Sequence, residues 1–291
     1  MIPVSVIIPT YNRGAILIET LQKLMQCDGT YEIIIVDQST PPNDEARRLA
    51  EESSERVQYY WREEPGLPLS RNFGLKIASH PVVLFCDDDV VPVSALIVSH
   101  SRHYDDETIG GVAGRVLPPG PEHVPPQHPV VGRISSVTGN QTDDFDAVIE
   151  VDVDHGQGCN ISFRKEVLEV AGGFDTRFGG SAFLEETDAC LRVKQAGYRI
   201  RFDPDAALVH LKDPSGGCRP KKPSDWFWWY GHNYMLLLLK NFSWYSWPGF
   251  FLFRIGNVMM GTLRAKSPGL IIQGITGLLA GVRSFHRPDN R

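Results

Sequence analysis

The chain has 291 residues, of which 42% are hydrophobic and 22% are charged. It is therefore long and apolar enough to bury the core of one large domain or of two modest ones. The net charge of −6 argues against nucleic acid as a general partner. The five cysteines are scattered without a CxxC pair, which indicates reduced thiols in a cytosolic setting rather than a disulfide framework.

The first 80 residues alternate short apolar runs with segments of helical length. Apolar runs bounded by polar or turn residues predict three strands, at residues 4–9, 32–37 and 57–61. The segments between and after them predict three helices: one after the turn at residues 10–14, one capped by Asn43 or Asp44, and one over residues 70–78. This alternation predicts a doubly wound α/β unit with right-handed crossovers.

The fourth predicted strand, residues 82–85 after Pro81, leads into three carboxylates. Ligands of parallel α/β sheets bind at the carboxyl ends of the strands. Alternation along the strand directs Asp87 and Asp89 to one side and Asp88 to the other. Two carboxylates on one side repel each other unless a cation lies between them, and Mg²⁺ or Mn²⁺ is the natural cation. The alternative is a solvated acidic turn that caps the next helix.

The second half of the body is less regular. Prolines crowd residues 117–129, which predicts an ordered loop that acts as a lid. The acidic residues 140–157 are expected to be mobile. Further elements are predicted as strands at residues 158–164, 199–202 and 206–211, and as helices at residues 165–171 and 185–196.

Residues 219–291 differ in composition from the rest of the chain. They hold ten of the 29 basic residues but two of the 35 acidic ones, so their net charge is +8 and that of residues 1–218 is −14. Five of the six tryptophans also lie here. The apolar runs are too short to span a bilayer. Aromatic residues with basic flanks predict helices that lie in a membrane interface; the alternative is a helical hairpin packed on the body or on a second subunit.

Two strand ends thus carry acids that suit a nucleotide. Asp37 can accept hydrogen bonds from a base N–H or a ribose hydroxyl. Backbone amides of residues 9–14 and the Arg71 guanidinium can meet uncharged and phosphate oxygens, and a divalent ion can bridge Asp89 to a diphosphate. Taken alone, Asp37 is equally a helix cap, and Arg71 a residue of a surface helix.

Five motifs together resemble the ordered motif set of the family 2 glycosyltransferases. They are VSVIIPTYNR at residues 4–13, IVD at 35–37, GLPLSRNFG at 66–74, DDD at 87–89 and FLEETD at 183–188. Each motif is weak alone, but five in the right order over about residues 1–212 are specific. The resemblance implies a GT-A fold, which is a Rossmann-like, mostly parallel sheet flanked by helices. It also implies inverting transfer of a hexosyl or related group from a nucleotide-diphosphate sugar, usually with Mg²⁺ or Mn²⁺.

The resemblance also implies roles for individual residues. It places eight residues around the nucleotide: Pro9, Thr10, Tyr11, Arg13, Asp37, Arg71, Asp87 and Asp88. It places three on the metal ion: Asp89, Asp87 and His210, whose neutral imidazole suits Mn²⁺. Asn160, in the strand at 158–164, matches the acceptor side.

An inverting transfer needs one carboxylate to take the proton of the acceptor hydroxyl. The family's base usually sits in a Glu-Asp pair, where this chain has Glu185-Glu186. We expect the base to be Glu186, then Asp188, then Glu185. Glu185 and Asp188 share one helix face, and Glu186 lies about 100° round the helix. The alternative is that these acids only stabilise a helix N-terminus.

The sequence as a whole therefore predicts a membrane-associated transferase. Residues 1–218 would form the catalytic domain, with a nucleotide half at about 1–116 and an acceptor half at about 130–212. Residues 219–291 would form a helical membrane-associating tail. The acceptor would be lipid-linked or a polysaccharide. With no signal peptide ahead of the first strand, we expect a cytoplasmic protein, peripheral on the inner face of the plasma membrane.

Two alternatives come from other functional classes. A nucleotidyltransferase that forms sugar nucleotides would share the sheet and the metal site. It would need a triphosphate loop rich in Gly and Lys/Arg, whereas residues 9–14 supply one of each. A non-catalytic nucleotide-sugar-binding module at the membrane would retain metal binding without turnover. The sequence leaves the nucleotide base, the sugar, the acceptor and the oligomeric state open.

Overall fold

A computed structural model of the chain describes residues 2–120, 123–218 and 222–289. Within them, the strands are β1 Val4–Thr10, β2 Tyr31–Asp37, β3 Val57–Trp61, β4 Val82–Cys86, β5 Val90–Pro92, β6 Ile109–Leu117, β7 Val151–Val153, β8 Asn160–Arg164 and β9 Arg199–His210. The α-helices are α1 Ala15–Leu24, α2 Asp44–Glu52, α3 Leu67–Ile77, α4 Leu96–Ser101, α5 Lys165–Val170, α6 Glu185–Gln195, α7 Pro223–Asn241, α8 Trp247–Arg264 and α9 Leu270–Phe285.

One sheet contains all of these strands, in the order β3-β2-β1-β4-β8-β6-β9-β5, with β7 beside β9. β1 pairs in parallel with β2 and β4, and β2 with β3. β8 runs antiparallel between β4 and β6, and β6 pairs in parallel with β9. The predicted α/β class with a mostly parallel sheet and flanking helices is confirmed.

The parallel half forms because its strands are apolar on both faces. Every residue of β1, β2 and β4 is buried, as expected for strands with helices on both sides. Leu17, Leu21 and Leu24, at four- and three-residue spacing, are the fully buried face of α1. The register pairs Thr10 with Asp37, so the polar residues after β1, β2 and β4 share one edge of the sheet.

Two expectations for the second half were wrong. β9 is one strand instead of two. Its pairing with β6 passes from Gly114–Asp203 to Arg115–Ala207, so residues 204–206 form a bulge within the strand. The bulge accommodates Pro204 without ending the strand. The acidic stretch 140–157 was expected to be mobile. It instead contributes the buried side chains of Phe145, Ala147 and His155 and the strand β7.

The expected boundary between body and tail does not fit the packing of α7. Residues 236–238 of this helix are fully buried, in a cluster with Phe178 and Leu184 of the body. Asn233 donates from its side-chain amide to the carbonyls of Gly179 and Phe183, at 3.1 Å each. α7 therefore packs in one buried cluster with residues of the preceding body. Arg219, Lys221 and Arg291 of the basic segment lie outside the described residues.

α9 packs on α7 through small residues. Gly274, Gly277 and Gly281 lie on one face of α9 at three- and four-residue spacing. A Cβ atom on Gly277 would lie 2.0 Å from the Trp228 carbonyl oxygen, and one on Gly281 2.5 Å from that of His232. Only glycine allows backbones to approach this closely, so the glycine face fixes which side of α9 is turned to the body.

A buried histidine in α4 makes stability depend on pH. His100 is fully buried between Asn160, to which Nε2 donates at 2.8 Å, and the Ser162 hydroxyl, 2.8 Å from Nδ1. Burial lowers the pKa of His100 from 6.5 to about 4. Below pH 6.5 His100 binds a proton in the unfolded chain but stays neutral in the folded protein. The free energy of unfolding therefore falls as the pH drops towards 4.

We expect wild type to lose about 3 kcal/mol more unfolding free energy than His100→Gln between pH 7 and pH 4, since a pKa unit corresponds to about 1.4 kcal/mol. Urea unfolding at the two pH values measures the difference. His128→Gln is the matched control, because His128 is exposed. It should keep the pH dependence of wild type. Equal pH dependence in His100→Gln and wild type would contradict the assignment.

Candidate active site

A cleft of about 480 Å³ lies at the carboxyl ends of the central parallel strands. The turn after β1 forms one wall, and the start of α6 forms another. The segment before β8, His210 at the end of β9 and the chain that follows it complete the lining. Among the predicted site residues, those on the cleft wall are Pro9, Thr10, Tyr11, Arg13, Arg71, Asp87, Asp88, Asp89, Glu185, Glu186 and His210.

The three aspartates after β4 face in two directions, as strand alternation predicts. Asp88 accepts from the Thr10 hydroxyl at 2.7 Å and from Arg13 Nε at 3.0 Å. Asp87 and Asp89 instead face His210, whose Nε2 lies 3.6 and 3.2 Å from their carboxylate oxygens. Asp88 therefore orients the turn after β1. Asp89 also contacts Arg13, through Oδ2 at 3.3 Å, and its Oδ1 faces His210.

The charges of this cluster depend on its burial. Burial raises the pKa of Asp88 to about 7, although Arg13 and the Thr10 hydroxyl oppose the shift. Burial also acts to raise the pKa of Asp89, but the hydrogen bond with His210 and the charge of Arg13 outweigh it and lower that pKa. Burial acts to lower the pKa of His210, yet the two carboxylates raise it above its usual value. A cation bound between these groups would compete with the proton for His210 Nε2, which faces both carboxylates.

The donor atoms of this cluster fit a hard divalent ion. Potential ligand atoms of Asp87, Cys159 and His210 all lie within 4.8 Å of one another, and Asp89 is 3.2 Å from His210. Burial and the nearby Asp87 raise the pKa of the Cys159 thiol well above 9. A protonated thiol is a poor metal ligand, so two carboxylates and an imidazole make a set suited to Mn²⁺ or Mg²⁺.

Arg71 links three segments beneath the cleft. This buried guanidinium donates to the Glu185 carboxylate, donates to the Gly158 carbonyl at 2.9 Å, and lies 3.7 Å from Asp87. Glu185 is buried as well, and its Oε2 makes no hydrogen bond within the described part of the chain. The ion pair holds the start of α6 at the end of β4, so Glu185 acts on the cleft mainly by fixing Arg71.

Glu186, one residue further along α6, is the carboxylate best placed to act as a base. Glu186 lines the cleft, and burial raises the pKa of its carboxyl group above the usual value in spite of the Arg71 charge. A carboxylate with a raised pKa binds a proton more tightly, which general-base catalysis at neutral pH requires. The neighbouring cleft wall is Phe183, which continues into the aromatic side chains of α7.

Asp188 does not reach the cleft, which contradicts its place among the base candidates. Its carboxylate is fully buried and accepts 2.8 Å hydrogen bonds from Arg192, Lys240 and Asn241. Lys240 also contacts the buried Asp175. This network holds α6 against α7, so Asp188 is a structural residue that fixes the helix on which Glu186 sits.

Two further predicted site residues are also absent from the cleft wall. The Asp37 carboxylate accepts from the backbone amides of Ser39 and Asn43, at 2.8 Å each, and from the Tyr59 hydroxyl at 2.5 Å. It shapes the loop after β2, and its neighbour Gln38 lines the cleft instead. Asn160, predicted on the acceptor side, is fully buried beside His100.

Sequence reasoning missed the segment that covers the turn after β1. Arg13 binds Asp213 and the Ser215 carbonyl, and the Gly217 amide donates to the Tyr11 carbonyl at 2.8 Å. Gly217 and Cys218 line the cleft. Residues 117–129 were expected to be the lid, but none of the described residues in this range lines the cleft. The position of this segment could have been inferred from the sequence, because the chain leaves β9 at His210, at the sheet edge that carries the acids.

Comparison with known proteins adds a family and a fold. Residues 5–171, more than half of the chain, match the profile of the family described as Glycosyl transferase family 2. The Pre-mycofactocin glycosyltransferase of Mycobacterium tuberculosis is 25% identical over 209 residues, 71% of this chain, which spans 42% of that protein. The Glucosyl-dolichyl phosphate glucuronosyltransferase of Haloferax volcanii is 26% identical over 222 residues, 71% of this chain and 68% of that protein.

A solved structure resembles the chain in fold. The mannosyltransferase PcManGT from Pyrobaculum calidifontis, in complex with GDP-Man and Mn²⁺, superposes with a TM-score of 0.56. The match covers 97% of this chain and 86% of that one, at 18% sequence identity. At this identity the likeness concerns the fold alone.

Proposed function

The chain belongs to glycosyl transferase family 2, and from this premise we propose that it is a metal-dependent inverting glycosyltransferase. It transfers a hexosyl or related group from a nucleotide-diphosphate sugar to an acceptor hydroxyl. The observation that carries the proposal is the convergence of Asp87, Asp89 and His210 on one side of a cleft that also holds Glu186. A charge-binding site and a base in one cleft are what such a transfer needs.

The donor end of the cleft is the turn after β1. Thr10 and Arg13 are fixed by Asp88, so their backbone and side chains are oriented before a nucleotide arrives. Asp87, Asp89 and His210 would hold a divalent ion, which would supply positive charge to offset that of the leaving diphosphate. The fold neighbour from P. calidifontis holds GDP-Man together with Mn²⁺, which supports this arrangement.

Glu186 accepts the proton of the acceptor hydroxyl as its oxygen attacks the anomeric carbon. Glu185 and Arg71 fix the first turn of α6 on one side, and Asp188 with Lys240 fixes it on the other. The base is therefore held by packing rather than by a mobile loop, which limits the loss of orientation before the reaction. One base is sufficient because the leaving diphosphate needs no proton when a cation neutralises it.

The acceptor is proposed to be lipid-linked or a polysaccharide, at the inner face of the plasma membrane. The relative from H. volcanii is named for a dolichyl phosphate substrate, which supports a lipid-linked acceptor. Sugar-nucleotide synthesis fits less well, since a triphosphate would meet only Arg13 on the turn after β1, and Arg13 is already bound to Asp88 and Asp89. A module that binds without turnover leaves Glu186 without a role.

A thermal-shift series of UDP-, GDP- and dTDP-sugars, each with and without Mn²⁺, tests the donor site. We expect one nucleotide class to raise the melting temperature only when metal is present, since a ligand that binds the folded state alone stabilises it. Stabilisation by none of them in the presence of metal would overturn the proposal. Release of pyrophosphate from a nucleoside triphosphate and a sugar 1-phosphate would favour the nucleotidyltransferase instead.

A further inference from the structure

The solvent side of α8 carries a continuous apolar stripe. Leu252, Ile255, Met259 and Leu263 follow one another at three- and four-residue spacing and are 50–78% exposed. The opposite side of α8 is buried, where Phe250 and Arg254 pack against Gly139, Tyr230 and Tyr234. A helix with one buried and one exposed apolar side leaves the second side for a partner.

α9 presents a second stripe of the same kind. Ile272, Ile275 and Leu279, again at three- and four-residue spacing, are 52–62% exposed. They lie opposite Gly274, Gly277 and Gly281, which pack on α7. Both stripes therefore point away from the body. We call the seven residues Leu252, Ile255, Met259, Leu263, Ile272, Ile275 and Leu279 the outer face.

The charges around the outer face have one sign. Arg264 at the end of α8 and Lys266 in the turn that follows are exposed, and so are Arg283 and Arg287 at the end of α9. Residues 226–288 contain no Asp or Glu. At the other end of α8, the aromatic rings of Trp244 and Tyr245 are 78% and 69% exposed. Apolar stripes with basic and aromatic flanks are the composition of helices that bind at a lipid–water interface.

We propose that the outer face docks on the surface of an anionic lipid bilayer, with α8 and α9 lying in its interface. This inference rests on the proposed function in so far as that function requires a lipid-linked acceptor. Within the described residues, no helix is both long enough and apolar enough to cross a membrane, so contact with the surface fits the helices. A second copy of the chain fits poorly, since pairing two outer faces would bring like charges together.

The buried side of α8 is connected to the cleft through aromatic side chains of α7, among them Tyr230. Phe183 on the cleft wall stacks on the Tyr230 ring at a centroid distance of 6.2 Å. The Tyr230 hydroxyl accepts from Arg254 at 3.0 Å and from Asn257 at 3.2 Å, both on α8. A bilayer bound to the exposed side of α8 would thus be separated from the cleft by α8 itself and by the rings of Tyr230 and Phe183.

Flotation of the full chain with vesicles tests the proposal. We expect binding to phosphatidylcholine vesicles that contain phosphatidylglycerol, weaker binding to phosphatidylcholine alone, and loss of binding at high salt. Arg264→Gln with Lys266→Gln should lower the partition coefficient about 25-fold, since each basic residue near an anionic surface contributes roughly a factor of five. Leu263→Ser with Ile275→Ser should lower it at least about ten-fold.

Matched controls alter the same residue types elsewhere on the surface. Arg47→Gln with Arg48→Gln removes two exposed charges from α2, and Val130→Ser with Val170→Ser removes two exposed apolar side chains. Both controls should bind vesicles as wild type does. Absence of wild-type flotation, or equal loss in controls and outer-face variants, would overturn the proposal. A dimer in sedimentation velocity that Leu263→Ser with Ile275→Ser dissociates would instead make the outer face an interface between copies.

The donor thermal shift, measured on the same preparations, separates this inference from the proposed function. Outer-face variants that lose vesicle binding should keep the wild-type melting temperature and the full metal-dependent donor response. If the wild-type chain shows the normal donor response but does not bind vesicles, the proposed docking of the outer face on a bilayer is refuted and the transferase proposal is not. Vesicle binding by a chain that responds to no nucleotide sugar would refute the transferase proposal alone.

Discussion

Glu186→Gln is expected to lower turnover about 10²- to 10⁴-fold, the range that a positioned general base contributes. The amide keeps the shape of the side chain but cannot accept the proton of the attacking hydroxyl. Glu186 is not among the proposed metal ligands, so the affinity for the donor should stay within about two-fold of wild type. Release of nucleoside diphosphate from the donor, with water as acceptor, measures the turnover.

The pH profile provides a second reading of the same change. Burial raises the pKa of Glu186 above 4.5, so the base is protonated, and activity is lost, as the pH falls through that raised value. The acid limb of kcat, measured with saturating donor and metal, should therefore lie above pH 4.5 in wild type and be lost in Glu186→Gln.

Variants of the other two base candidates are the controls. Asp188→Asn should lower the melting temperature, because it weakens the buried contacts with Arg192 and Lys240. Its turnover at a temperature where it remains folded should exceed that of Glu186→Gln. Glu185→Gln should impair the placement of Arg71 without removing the acid limb. Full turnover in Glu186→Gln together with an inactive Glu185→Gln would assign the base to Glu185.

The parts of the fold that were predictable depend on local pattern. β1, β2 and β4 are apolar along their whole length, and the alternation of side chains correctly separates Asp88 from Asp87 and Asp89. These properties follow from the backbone geometry of a strand and need no distant partner. β6 was missed because Gly110, Gly111 and Gly114 weaken a strand signal that depends on side-chain packing.

The parts that failed depend on partners remote in sequence. Asp188 resembles a catalytic acid at a helix start, but Lys240 and Asn241, 52 and 53 residues away, occupy its oxygens. Asn160 looks like an accessible strand residue until His100 fills the space beside it. The tail could not be divided from composition alone, since α7 and α9 are similarly apolar and only the packing shows that α7 is buried.

Asp89→Asn is expected to weaken metal affinity at least about 100-fold. Even a residue that only supports a metal ligand contributes a factor of about 10 to 100 to metal affinity. The amide retains an oxygen for the Asp213 backbone amide, which lies 2.9 Å from the Asp89 carboxylate, so the fold should persist. The metal-dependent part of the donor-induced thermal shift should then disappear. Manganese titration followed by calorimetry measures the affinity directly.

Asp88→Asn is the informative comparison, because Asp88 is adjacent in sequence but faces the other way. Its oxygens are occupied by Thr10 and Arg13, so its replacement should disturb the nucleotide turn and leave manganese affinity within a few-fold of wild type. The two variants separate metal binding from nucleotide binding at neighbouring positions of one strand end. Unchanged manganese affinity in Asp89→Asn, together with a large loss in Asp88→Asn, would move the metal to the opposite side of the strand. The role of His210 as a ligand would then have to be abandoned, since its ring nitrogen faces Asp87 and Asp89.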